Sequence, residues 1–316
     1  MLLPKNSILN DHHLSLLHRH GIELWSEDTK LVTELIMEKS ISEVQMIYEN
    51  IHNNKEKLSN RQIQNLILPK IQKLSVNTKL SSMVIELRKK DNYTFRHSIG
   101  VAVLSYLLGK WLGLKNEELQ DLAVAGVLHD LGKVKIPDEI LNKPGRLTNN
   151  EYAEIKLHAK YGYEMVQHVP GITEQQALVA IQHHEREDGS GYPYGISGSE
   201  ITSFSKIVAV TDVFHTMISE RVYKKPVPLY QVFLEIYQYS FGKFDPKVVH
   251  CFISNVMSRL IGDSVRLTDG RVATIIMLHP DDLINPLVEV QGEYCDLRKS
   301  DKNIADFIIP HLLCQG

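Results

Sequence analysis

Histidines standing beside carboxylates are the residues in this chain whose types could do chemistry together: Arg96-His97, His129-Asp130, His158, His183-His184-Glu185, and Asp212 after the apolar run Ile207 to Val210. Imidazole and carboxylate suit borderline and harder divalent cations such as iron, manganese or zinc, and the lack of nearby thiolates argues against a structural zinc site. The set reads as a catalytic metal centre. A carboxylate has two oxygens and can bridge two cations, which makes Asp130 the candidate shared ligand of a two-metal site. Lys133, three residues on, falls on the same side of a helical turn, where its ammonium can approach a bound phosphate. It could there stabilise transition-state charge or protonate a leaving group. A lone His-Asp pair is usually a surface or capping feature, and histidines such as His12, His13, His18, His20 and His52 need no function. The combination points to metal.

These residues need elements to position them. His129 and Asp130 end the apolar stretch Leu122 to Leu128 just before Gly132, which predicts the last turn of a buried helix. From Ser81 to Leu260 the spacing is helical, with segments around Val101, Ala123, Ala177, Ile207 and Val232, so an all-α domain is expected. Residues 1–80 also carry helical spacing, as at Leu31, Leu35, Ile36 and then Val44, Ile47, Tyr48, Ile51, but no ligand motif. They are read as a regulatory or dimerising region, with the polar run His52 to Arg61 as a turn. After residue 260 the pattern changes to short β-branched runs, Asp263 to Leu267, Val272 to Leu278 and Leu287 to Val290, with Asp269-Gly270 as a hairpin signal. The expected fold is mainly α: an N-terminal helical region over 1–80, a metal-dependent helical domain over 81–260 and a small β-rich extension over 261–316.

The bulk properties narrow the function classes. A length of 316 residues, 43% hydrophobic and 23% charged, is that of a globular chain with more than one structural unit. With 35 basic against 38 acidic residues, a net charge of −3 provides no global field for long nucleic acid or an anionic membrane, so any phosphate contact must be local. Three cysteines, Cys251, Cys295 and Cys314, form no paired motif and suit a reducing compartment. No apolar run approaches the roughly 20 residues of a membrane span, and the first residues do not read as a signal peptide. A cytoplasmic location is expected.

The segment His129-Asp130-Leu131-Gly132-Lys133, followed by Ile136-Pro137 and by HHEREDGSGYP at 183–193, resembles an HD-GYP domain. The resemblance extends over Tyr93 to Ser98, Ile140 to Gly145, His158 and Ala209 to Phe214, roughly residues 81–260, and the β-rich tail is similar to an extension that often follows such domains. It implies an all-α metallohydrolase that opens cyclic di-GMP to pGpG and often onward to GMP. Carried across by motif, His97, His129, Asp130 and Asp212 would hold one cation, and Asp130, His158, His183 and His184 the other. Tyr93 stands where some members have a carboxylate for a third metal, so two divalent ions per chain are expected, iron or manganese foremost, with a water between them as nucleophile. Lys133, Arg186, Asp188, Gly191, Tyr192 and Pro193 would line the substrate site, and Arg221 and Lys225 would bind phosphate or guanine acceptors. One departure is His215-Thr216, where the family usually has Asp and Ala. The resemblance also admits a GGDEF-domain partner at the GYP loop, and the N-terminal helices a homodimer. Two alternatives stand beside the phosphodiesterase: a weakly active or inactive cyclic-dinucleotide sensor or GGDEF-binding module, and an enzyme for cyclic GMP-AMP or a mononucleotide.

Overall fold

Helical spacing and well-capped ends account for most of the chain. The structure, a computed structural model, describes residues 27–53, 58–76, 93–219 and 227–308. Its helices are α1 (Glu27–Asn53), α2 (Asn60–Val76), α3 (Tyr93–Trp111), α4 (Asn116–Leu128), the short α5 (Asp138–Leu141), α6 (Asn149–Lys156), α7 (His158–Val166), α8 (Glu174–Gln182), α9 (Ser203–Ile218), α10 (Leu229–Tyr239) and α11 (Pro246–Ser258). Thr148 and Thr173 accept the amide hydrogens of Glu151 and Gln176, while those two side chains reach back to the cap amides, so α6 and α8 start with reciprocal caps. Asp245 caps α11 just before Pro246, where a missing N–H costs nothing. The mainly α expectation holds.

Close backbone approach decides where α3 and α4 cross. Gly126 lies against Ala102, whose Cα would be only 2.8 Å from a methyl group added at Gly126. His97 precedes Ala102 and His129 follows Gly126, and their rings finish 5.3 Å apart. α4 is buried at Leu119 and from Leu122 to Leu128, because its apolar run faces neighbours on several sides. A 3-10 turn, Leu131–Lys135, follows His129 and Asp130. Gly132 in that turn presses on the backbone of His158 and Gly162, which seats α7 against it.

The first two helices join the same core. The Tyr48 hydroxyl of α1 donates to the Val127 carbonyl at 2.8 Å and meets Ser98 Oγ at 3.0 Å. Arg96, buried beside His97, pairs with Glu38 of α1 at 2.8 Å. At the start of α2, the Asn60 amide donates to Gln176 Oε1 at 3.1 Å and to the Gly171 carbonyl at 3.0 Å.

The tail forms an antiparallel sheet in the order β4-β3-β2-β1-β5, from β1 (Ser264–Leu267), β2 (Val272–His279), β3 (Asp282–Val290), β4 (Glu293–Asp296) and β5 (Ile304–Phe307). The Asp269-Gly270 turn joins β1 to β2, with Gly270 at φ 88°. β3 begins at Asp282, earlier than the Leu287 read from sequence, and runs through Pro286. A proline is tolerated there because the β2–β3 register shifts between Met277 and His279. The sheet rests on α10: Phe307 packs on Tyr230 and Phe233, and Asp306 accepts the Leu229 amide at 3.1 Å. Among the described residues no helix is long and apolar enough to cross a membrane.

Candidate metal centre

Five helices deliver the chemistry-bearing residues to one buried point. His97 comes from α3, His129 and Asp130 from the end of α4, His158 from the start of α7, His183 and His184 from the end of α8, and Asp212 from α9. All are buried except His184, which is partly so. Asp130 is the hub. Its Oδ2 stands 3.3 Å from His129 Nε2, 3.5 Å from His97 Nε2 and 2.5 Å from Lys133 Nζ. Its Oδ1 faces His158 Nε2 at 3.4 Å and His183 Nε2 at 3.8 Å. Asp212 Oδ1 is 3.1 Å from His97 Nε2.

Two sets of donor atoms are therefore close enough to hold a cation each: His97, His129 and Asp130, and Asp130, His158, His183 and His184, with the atoms of each set within 4.8 Å of one another. Asp212 adjoins the first set through His97. The donor chemistry fits metal ions. His129 Nε2 and Asp130 Oδ1 are buried without a hydrogen-bond partner, a costly state for polar atoms and one that a cation would relieve. Three imidazoles are also oriented for ligation: Nδ1 of His129, His158 and His183 donates to the carbonyls of Gly126 (2.8 Å), Ile155 (2.6 Å) and Val179 (3.0 Å). Since a carbonyl only accepts, each Nε2 turns a lone pair inward.

Ionisation follows the same geometry. Burial works against charge on Asp130, yet the Lys133 ammonium and the His129 imidazole hold its carboxyl well below the usual range. Asp212 is likewise depressed against its burial by the hydrogen bond from His97. Burial, reinforced by His129 and His158, lowers His183 to about 3, and burial with His183 holds His184 well below its ordinary value. His97 and His158 are lowered chiefly by burial. His129 is raised, because adjacent Asp130 outweighs its desolvation. Asp130 also outweighs desolvation at Lys133, whose ammonium is raised above its ordinary value.

The remaining sequence-predicted residues divide by position. Tyr192 stacks on His184 with centroids 4.5 Å apart, and its amide donates to the His184 carbonyl at 3.2 Å. Gly191 leaves no room for a side chain, since an added methyl would stand 2.5 Å from the His184 carbonyl oxygen and 2.6 Å from the Arg186 nitrogen. Pro193 continues the loop, and Glu185 Oε1 accepts the Tyr194 amide beyond it at 2.7 Å. Arg186 donates to the carbonyls of His183 and Glu185 and lies over the Phe244 ring, while Asp188 accepts the Ser190 amide. Those two side chains engage the loop. Arg221 and Lys225 lie outside the described residues. Tyr93 stacks over His97 at 5.6 Å.

Two features escaped the sequence reading as contributors to the site. His215 brings Nδ1 within 3.0 Å of His97 Nδ1; its i, i+3 spacing from Asp212 could have placed it on the same face of α9. Lys156 Nζ lies over the rings of Tyr152 (4.5 Å) and Tyr192 (5.2 Å), putting a cation at the rim beside His184. The Lys156–His158 spacing carries no such signal.

A family model for the HD domain matches residues 45–248. A cyclic di-GMP phosphodiesterase of Pseudomonas aeruginosa is 34% identical over 207 residues, 66% of this chain and 50% of that protein. Another, of Thermotoga maritima, is 40% identical over 165 residues, covering 52% and 45%. Among solved structures, Bd1817, a HDG"Y"P protein from Bdellovibrio bacteriovorus, shares the fold with a TM-score of 0.59 at 17% identity, over 76% of each chain. The chain spans about half the length of the curated relatives it matches. It belongs to the HD domain family and, by its GYP loop, to the HD-GYP type. The family fold is that of metal-dependent hydrolases.

Proposed function

We propose that this chain is a metal-dependent phosphodiesterase that hydrolyses cyclic di-GMP to pGpG and onward to GMP. The observation that supports it is the position of Asp130: one oxygen faces the His97–His129 group, the other faces the His158–His183 group, and Lys133 stands beside them. In this reading His97, His129, Asp130 and Asp212 hold one divalent ion and Asp130, His158, His183 and His184 the other, with iron or manganese as the preferred occupants. Two such cations would supply Lewis acidity and an ionised water at neutral pH.

The protein's own groups then have separate tasks. Lys133, paired with the Asp130 carboxylate, would stabilise charge on the phosphate or protonate the leaving group. Tyr192, stacked on His184, closes one wall of the site and limits how the dinucleotide enters. Lys156, over Tyr152 and Tyr192, places a second cation where the distal phosphate or a purine edge would lie. Residues 81–260 carry the catalysis, 1–80 regulate or dimerise, and 261–316 are a structural extension. The setting is cytoplasmic, in keeping with Cys251 and Cys295 as free thiols.

Chromatographic product analysis tests the reading. The purified chain, loaded anaerobically with iron or manganese, is given cyclic di-GMP and, separately, cyclic GMP-AMP. Wild type should release pGpG or GMP from cyclic di-GMP and Asp130→Ala should not. Lys133→Met should keep its metals and turn over about 100 to 1,000 times more slowly. Intact substrate with two metals bound per chain would refute the enzyme and leave a cyclic-dinucleotide binding module.

A further inference from the structure

The imidazoles around Asp130 are not all supported alike. His129, His158 and His183 donate Nδ1–H to a carbonyl three or four residues earlier in their own helices, a fixed arrangement because the carbonyl cannot return a proton. His97 instead faces a side chain from another helix. Its Nδ1 is 3.0 Å from His215 Nδ1, the two rings meet edge-on at 4.9 Å, and both residues are buried. Exactly one hydrogen can occupy that contact.

Either residue can provide it, and the surroundings accommodate both cases. With the hydrogen on His215, His97 accepts at Nδ1 and its Nε2–H donates to Asp212 Oδ1, 3.1 Å away. With the hydrogen on His97, His215 accepts and His97 Nε2 presents a lone pair, as the other three imidazoles do. Ser219 Oγ, 3.0 Å from His215 Nδ1 and 2.7 Å from the His215 carbonyl, lets the first case run easily: its hydroxyl donates to the carbonyl and its oxygen faces an Nδ1–H.

We infer that His215 is the positioning residue of His97 and makes the His97–His129–Asp130 group the weaker of two cation sites. A cation there must first turn the His97–His215 contact around, whereas in the Asp130–His158–His183–His184 group His158 and His183 present Nε2 lone pairs already set. The inference rests on the cluster being a metal centre. An acceptor-only side chain at position 215 removes the competing arrangement and strengthens the weaker site. An apolar one removes the support altogether.

Titration calorimetry of the metal-free chain with manganese alone reads both sites, and the His158 group serves as an internal control for folding. Wild type should bind two ions with unequal affinity. His215→Leu should weaken only the weaker site, by about 10- to 100-fold, the usual effect of losing a ligand's outer partner. His215→Asp should tighten that same site. Equal affinities in wild type, no change in the Leu variant, a loss shared by both sites, or Leu and Asp shifting the weaker site in the same direction would each overturn the inference. A wild type that binds no manganese overturns the metal-centre reading with it.

Discussion

A single methyl group at Gly132 should separate the two halves of the centre. Gly132 has no left-handed backbone requirement, so the cost of Gly132→Ala is purely one of space. An added Cβ would overlap the His158 carbonyl oxygen and stand 2.5 Å from the Gly162 nitrogen, where real contacts do not close below 3.0 Å. Both obstacles are backbone and cannot rotate away, so α7 must retreat as a body. His158 opens α7 and its Nε2 faces Asp130 Oδ1 at 3.4 Å, so the retreat pulls an imidazole out of the Asp130–His158–His183–His184 group. Overpacking usually costs about 1–3 kcal/mol, and immovable neighbours place this case near the upper figure. At about 2–4 °C per kcal/mol, the melting temperature should fall by about 6–12 °C. Gly162→Ala is the control: its methyl would meet Gly132 nitrogen at 3.3 Å and Ala180 Cβ at 3.4 Å, and alanine favours a helix over glycine by about 1 kcal/mol, so little change is expected. Thermal melts with metal analysis of both variants decide the matter. A Gly132→Ala protein with wild-type melting temperature and full metal content, or a Gly162→Ala protein damaged equally, would refute the argument.

Tyr48→Phe should lower stability to urea by about 1–2 kcal/mol, because it removes a buried hydroxyl that donates to the Val127 carbonyl; an unchanged midpoint would mean that this contact contributes nothing. At the start of α6, Lys143 and the Thr148 amide hold the Glu151 carboxyl at about 2, below its ordinary 4.5. Since the folded value is the lower one, the pair's stabilisation is complete above the ordinary value and disappears as pH falls toward about 2. Wild type should therefore melt slightly above Glu151→Gln near neutrality and together with it near pH 2, the gap being small because the pair is solvent-screened; a gap independent of pH would count against the pairing.

The types of the candidate ligands were legible because chemistry and spacing coincide in His129-Asp130 and His183-His184, and because the apolar run Leu122 to Leu128 must end where buried helix meets polar residues. The hairpin at Asp269-Gly270 was legible for a similar local reason. What supports the ligands was not. The carbonyls of Gly126, Ile155 and Val179 are backbone groups, which any sequence would supply. The pairing of His97 with His215 depends on which helices cross, and periodicity does not specify that. The motif marks Arg186 as a substrate contact but not its local partners: its Nη1 donates to the carbonyls of His183 and Glu185 and its guanidinium lies over the Phe244 ring. Strand β3 extends back to Asp282 through Pro286, a residue that strands accept only where the ladder beside it is irregular, and that irregularity is not visible in the sequence.

The centre also shows what the fold gives up for function. Three imidazoles have their Nδ1 hydrogens fixed on carbonyls, so their Nε2 lone pairs point toward the oxygens of a carboxylate held ionised in the interior. Acceptors aimed at acceptors repel unless a proton or cation stands between them, and a sequence selected for stability alone would fill such a space with apolar side chains. The strain must be absorbed elsewhere. It falls on the elements that cannot move: α4, buried from Leu122 to Leu128; the Gly126–Ala102 crossing that fixes α3; the Gly132 seat beneath α7; and Tyr48 of α1, hydrogen-bonded two residues before His129. A cation stabilises this arrangement more than it would a relaxed one, because it replaces mutual repulsion of preset donors rather than their bonds to water.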